Sequence, residues 1–227
     1  MRILSLLLFL PSLQGQITVA AASDLAPLEA VLKKAYGGNI QFSFASSGSL
    51  LRQIENGAPF DIFLSASEQY VLEGVAKGLL IGPPRVYAIG RIALWSRSGV
   101  VQKLDQLTDP AVLHIAIANP AYAPYGLAAK QALEKAGLWK VLQSRIVFGE
   151  NIRQTLQYAE SGNADAAIVS WTLVHNIGGV LLPDRLHAPL RQAGAIVKSS
   201  SQPAEAKRFL DFLMSAKGRT VLNGHGL

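Results

Sequence analysis

The sequence predicts an α/β protein built as two lobes, each a mainly parallel sheet flanked by helices, joined by two hinge strands. Three observations predict it. Strand-like and helix-like runs alternate from residue 17 onward, which implies parallel strands with helices covering both faces of a sheet. The alternation breaks at Pro83-Pro84 and then resumes, so the pattern occurs twice. The length of 227 residues suits one large domain or two of about 100 residues each. With 50% hydrophobic and 16% charged residues, a sizeable core can form and the composition of a disordered chain is absent.

Ile17 to Ala22 reads as the first strand, and Leu25 to Tyr36 as a helix closed by Gly37-Gly38. Asn39 to Ala45 is the second strand, followed by a helix from Ser49 to Asn56 with Gly57 at its C-terminus. Asp61 to Ser65 is a strand, and Glu68 to Lys77 a helix ended by Gly78. After the prolines, Val86 to Ser96 is a long strand-like run interrupted by Gly90-Arg91. His114 to Ala118 and Arg145 to Phe148 read as strands, each leading into a helix: Gly126 to Ala136, and Asn151 to Ser161 with Asn151 as N-cap. Ala166 to Ser170 is another strand, Gly179 to Leu182 and Ala193 to Lys198 are extended, and helices from Pro203 to Ser215 and Gly218 to Leu222 close the chain. The terminal helices are assigned to the first lobe, so the chain crosses between lobes twice, near 84–92 and 190–197. This gives lobe I as 16–84 plus 197–227 and lobe II as 85–196, a hinged clamp. No low-complexity tract or short repeat is present.

Residues 1–15 are expected to be a signal peptide. Met1-Arg2 is a short basic start, Ile3 to Leu10 an apolar run, and Pro11 to Gly15 a small and polar exit. The run is shorter than the roughly 20 residues that span a bilayer. There are no cysteines. That removes disulfides, thiolate metal sites, cysteine nucleophiles and a lipid anchor, and it suits the periplasm. The formal charge of +6 becomes +5 once Arg2 is removed. The basic residues are scattered, as in Lys33-Lys34 and Lys207-Arg208, without the interleaved aromatics of a nucleic-acid surface. A mild positive charge steers anions.

Catalytic patterns are lacking. His114, His175, His187 and His225 show no metal-ligand spacing, and no nucleophile elbow or phosphate loop occurs. The reading is a binding protein, not an enzyme, with no cofactor and no direct metal ligand. What the sequence does offer is four strand-to-helix junctions rich in neutral donors: Ser23-Asp24, Ser46-Ser47, Pro124-Tyr125-Gly126 and Asn151-Ile152. Helix N-termini carry unpaired N–H groups and partial positive charge, and in a parallel α/β sheet they lie at the ligand-binding ends of the strands. Singly, each such residue is an ordinary cap. As a set facing a cleft, they suit an ionised oxoanion, which only accepts hydrogen bonds.

Two blocks then carry a resemblance: Ile17 to Ser23, and Phe42 to Ala66 with its Phe-Ala-Ser-Ser-Gly-Ser-Leu-Leu-Arg-Gln-Ile run. Pro124 to Leu133 and Glu150 to Leu156 extend it over essentially the whole mature chain. These segments resemble the periplasmic molybdate-binding proteins of ABC importers. The resemblance implies a class II periplasmic binding protein, monomeric, that closes on molybdate or tungstate and delivers it to an inner-membrane permease and its ATPase. It implies oxoanion contacts from Ser23, Asp24, Ser47, Tyr125 and the backbone N–H of Ile152, with Ser46 and Ser170 as further candidates. Some members place a tyrosine where this chain has Ser170, and others a tyrosine at the position of Tyr125. Asp24 stands where some relatives have serine or asparagine. Its backbone N–H is expected to bind while its side chain turns away to cap the helix; the alternative is that it accepts a proton from an anion such as hydrogen phosphate. A binding protein for sulfate, phosphate or a carboxylate, the last paired with Arg153, is the second reading, and a secreted enzyme on the same scaffold the third.

Overall fold

The computed structural model describes residues 15–227. The signal-peptide reading falls on residues 1–15 and so lies, but for Gly15, outside the described residues. The first half runs β1 (Ile17–Ala22), a 3-10 turn (Ser23–Leu28), α1 (Glu29–Tyr36), β2 (Ile40–Ala45), α2 (Ser47–Glu55), β3 (Ile62–Ser65), α3 (Glu68–Ala76) and β4 (Leu80–Gly90). The chain continues with β5 (Ile92–Trp95), β6 (Ile115–Ala118), α4 (Pro124–Lys135), α5 (Trp139–Leu142), β7 (Ile146–Gly149), α6 (Ile152–Glu160), β8 (Ala166–Ser170), α7 (Trp171–Val174) and β9 (Val180–Leu181). It closes with β10 (Leu190–Val197), α8 (Pro203–Met214) and α9 (Ala216–Asn223).

Two five-stranded sheets result, in the orders β2-β1-β3-β10-β4 and β7-β6-β8-β5-β9. In each, three successive strands are parallel and the last two join antiparallel. Period-two alternation divides the first core. Ile17, Val19 and Ala21 of β1 and Ile62 and Leu64 of β3 face one cluster with Leu32 and Phe209, while Ala20 and Phe63 face another with Leu50, Leu51 and Val71. The helices α8 and α9 thus pack on the first sheet beside α1. The second lobe has one cluster, built on Ile92, Leu94, Ile115, Ile117, Ile168 and the alanine face of α4.

Several boundaries differ from the sequence reading, each for a physical reason. The first helix opens as a 3-10 turn with Pro27 inside it and becomes α-helical only at Glu29, because proline lacks the N–H that an α-turn would use. Helix α2 begins at Ser47, two residues earlier than read. Pro83-Pro84 is not a break. Leu80 and Ile81 pair with Val197 and Ile196, pairing resumes at Arg85, and Gly82-Pro83-Pro84 sit in the register shift between. Prolines without donors are accommodated there because β4 is an edge strand. Residues 85–90 and 190–196, read as lobe II, hydrogen-bond within the first sheet, which leaves Arg91 and the 182–189 stretch as the connections between sheets.

Phe209 is fully buried, its ring centroid 5.1 Å from that of Tyr36 and 6.1 Å from that of Phe42. Replacing it by alanine removes a large apolar side chain from a packed site, and Phe209→Ala is expected to lose about 3–5 kcal/mol of stability in urea denaturation. A loss below about 1 kcal/mol would contradict this packing.

Candidate functional site

Parallel strands direct their carboxyl ends, and the helix starts that follow, to one edge of a sheet. Here both sheets present those edges to each other. A small cavity of about 10 Å³ lies between them, walled by Ala22, Ser23, Asp24, Ala45, Ser46, Ser47 and Ala66 from the first lobe and by Ala123, Pro124, Tyr125 and Ile152 from the second. Its volume is about the room of a single water molecule, far below the roughly 300–1,000 Å³ that organic ligands occupy. A hollow of about 710 Å³ at the far end of the second lobe, beside Arg97, Val100 and Val112, is larger but lacks converging helix starts.

The donors can be followed one by one. In α6, Asn151 Oδ1 accepts from the N–H groups of Arg153 and Gln154, and its carbonyl accepts from Thr155. Of the first four amides, only that of Ile152 has no partner among the described residues. In α2, Gly48 N–H donates to the Tyr122 carbonyl across the cleft at 2.9 Å, and Leu50 N–H donates to Ser46. Ser47 N–H is left without a described partner at the cavity wall. The Ser47 hydroxyl oxygen accepts from Ala66 N–H at 3.0 Å, which leaves its own hydrogen to donate elsewhere. None of α2, α4 and α6 has an acidic residue in its first turn, so their positive ends are uncompensated. No lysine or arginine lines the cavity. Arg153 is exposed and borders a neighbouring groove with Ser23, Phe44 and Asn151.

Asp24 joins the two lobes. Its side chain does not cap the 3-10 turn in which it lies, contrary to the expectation from sequence. It is fully buried, and Oδ2 accepts from the Tyr125 hydroxyl at 2.9 Å and from Gln192 Nε2 at 2.6 Å. Gln192 also donates to the Tyr125 oxygen at 2.8 Å. These stronger partners lie across the cleft and on β10, and they outcompete a local cap. Burial pushes the Asp24 carboxyl up to about 6, partly offset by the bonds from Gln192 and Tyr125. Burial likewise holds the Tyr125 hydroxyl protonated, well above the usual phenol value. On the backbone side, Thr172 Oγ1 donates to the Asp24 carbonyl at 2.8 Å.

Six of the candidate residues therefore meet at one cavity: Ser23, Asp24, Ser46, Ser47, Tyr125 and Ile152. Tyr125 contributes to the wall, while its hydroxyl hydrogen goes to Asp24. Ser46 lines the cavity, but its hydroxyl donates to Ser49 Oγ at 2.8 Å. Ser170 is buried at the end of β8, outside the wall, and pairs with Thr172 Oγ1 at 2.9 Å, so it supports Asp24 from behind. Sequence reasoning missed Gln192, Thr172 and the role of Gly48. The available signal was a lone amide, Gln192, within an apolar extended run. For Gly48, a Cβ would lie 2.8 Å from Tyr122 Cβ and 2.9 Å from its carbonyl oxygen. For Gly90, a Cβ would lie 2.5 Å from the Tyr125 hydroxyl. Both glycines let the lobes meet.

Comparison with known proteins agrees with the two-lobed fold. Residues 17–227 match the family model described as bacterial extracellular solute-binding protein. A molybdate-binding protein ModA of Rhodobacter capsulatus is 31% identical, covering 96% of this chain and 90% of its own. That of Azotobacter vinelandii is 34% identical, covering 93% and 89%. The solved structure of an Azotobacter vinelandii periplasmic molybdate-binding protein superposes with a TM-score of 0.86 at 30% identity, over 92% of this chain and 97% of that one. Two sheets closing on a small donor-lined cavity, and a match along the whole described chain, make this protein a member of the bacterial extracellular solute-binding protein family.

Proposed function

We propose that the protein captures molybdate, and equally tungstate, between its lobes in the periplasm and delivers it to an ABC importer. The observation that carries this is the cavity between the lobes whose donors without a partner among the described residues, the amides of Ser47 and Ile152 and the Ser47 hydroxyl, come from both lobes with no cation among them. A fully ionised tetrahedral oxoanion accepts at every oxygen and matches a wall made of donors. Neutral donors hold such a dianion without a fixed ion pair that would slow its release. The named activity of the relatives supports the same ligand. Sulfate has the same shape and charge but shorter bonds, so a cavity closed around the larger anion loses contacts to sulfate on one side. The partners follow from the same reading: an inner-membrane permease with its ATPase, approached by a monomer.

Closure is part of this function. Gly48 donates across the cleft to Tyr122, and Arg52 stacks over the Tyr122 ring at 5.3 Å. Ligand and seam thus form together, and the anion is buried only when both lobes engage.

In a thermal-shift panel, molybdate and tungstate are expected to raise the melting temperature, with sulfate and phosphate far weaker; at a hundredfold excess over Kd the stabilisation is about 2.7 kcal/mol. A shift from phosphate or sulfate alone would reassign the ligand. Ser47→Ala is expected to weaken molybdate binding by about 1–3 kcal/mol, because an anion oxygen is left short of a donor. Unchanged affinity in calorimetry would remove Ser47 from the site. Gly48→Ala is expected to fold normally and bind molybdate at least roughly tenfold (about 1.4 kcal/mol) more weakly, since its Cβ holds the lobes apart at Tyr122. Native affinity in that variant would show that this seam is not required for capture.

A further inference from the structure

Asp24 is the one charged residue in the cavity wall, and its two oxygens are not equivalent. Oδ2 accepts from both Tyr125 and Gln192, whereas Oδ1 has no partner among the described residues. Gln192 and Tyr125 are themselves buried, so they fix which oxygen is held and which is free. The groups that reach the carboxyl come from three elements; α6 also packs against the turn that holds Asp24, but its Arg153 is exposed and lines the neighbouring groove. They are Tyr125 of α4 and Gln192 of β10 by hydrogen bond, and Tyr87 of β4, whose own titration feels the Asp24 charge. Thr172 of α7 bonds the backbone carbonyl instead. None of the groups that reach the carboxyl is a cation. A carboxylate here would therefore place a third uncompensated negative charge against a dianion in a site that excludes water.

We propose that Asp24 binds the oxoanion as a neutral carboxylic acid, carrying its proton on Oδ1 and donating it to an anion oxygen. This rests on the oxoanion reading of the cavity. The proton comes from solvent, no bond of the anion is broken, and the complex gains one proton for each dianion bound. Asp24 thereby becomes one more donor of the wall, and it couples capture to pH. The carboxyl already titrates at about 6 through burial, and a neighbouring dianion raises it further. The sign follows. Below about pH 6 the acid is already protonated and affinity is level; above it, each binding event must draw a proton from solvent, and affinity falls about tenfold per pH unit. A carboxamide would do the same work without a proton: its carbonyl would accept from Tyr125 and Gln192, and its NH₂ would take the place of Oδ1.

The test is calorimetric titration with sodium molybdate between pH 6.5 and 8.5, in two buffers of different ionisation enthalpy, on the native chain and on Asp24→Asn. The native chain is expected to take up close to one proton per molybdate at pH 8 and to lose about a hundredfold in affinity across the range. Asp24→Asn is expected to take up none and to bind with an affinity that no longer changes with pH. Binding by the native chain without proton uptake, or the same pH slope in both proteins, would overturn the proposal while leaving the oxoanion site intact. The native measurement stands without the variant should the latter fold poorly. Absence of molybdate binding by the native chain at every pH would overturn the oxoanion reading and this inference together.

Discussion

At Asp24 Oδ2, three distant parts of the chain meet. The turn after β1 supplies the carboxylate, the start of α4 supplies the Tyr125 hydroxyl, and β10 supplies the Gln192 amide, at 2.9 and 2.6 Å. A buried carboxyl cannot remain without partners, since its desolvation would cost several kcal/mol. That requirement pins the second lobe's helix to the first lobe's strand end. Once the seam is formed, the starts of α2 and α6 lie on either side of one cavity, and the amides of Ser47 and Ile152 have no partner among the described residues. The size of the cavity and the identity of its donors follow from how closely these elements approach. Gly48 and Gly90 permit that approach because they have no Cβ.

The donors that line the cavity are neutral groups, with no lysine or arginine among them. An arginine would bind an anion more strongly in isolation but would admit any anion, carboxylates included. Backbone amides at helix starts are fixed in direction by the helix, so selection passes to distance and shape. A binding protein that must both hold and surrender its ligand benefits from this. In the proposed function, opening the lobes would expose the same amides to water, which would replace the anion at little cost.

Much of the fold is legible in the sequence because it rests on local signals. Alternating apolar runs, Gly37, Gly57, Gly78, Gly137 and Gly162 after helices, and Asn151 as an N-cap all act within a few residues of where they stand. The misreadings have tertiary causes. Pro83-Pro84 reads as a break, yet an edge strand passes through it by skipping the ladder opposite residue 195. The cavity wall is legible as four strand-to-helix junctions. Two partners of Asp24 are not: nothing local says that Gln192 or Thr172 lies beside residue 24, because that contact spans more than a hundred residues. The expected helix cap by Asp24 fails for the same reason, since stronger donors reach it from afar.

Anomalous diffraction from crystals grown with tungstate tests the central claim most directly. The account predicts one tungsten peak in the cavity between Ser23, Ser47, Tyr125 and Ile152, its oxygens within about 3 Å of the Ser47 and Ile152 amides and of no lysine or arginine nitrogen. A peak held by Arg153 in the neighbouring groove, or none between the lobes, would contradict it.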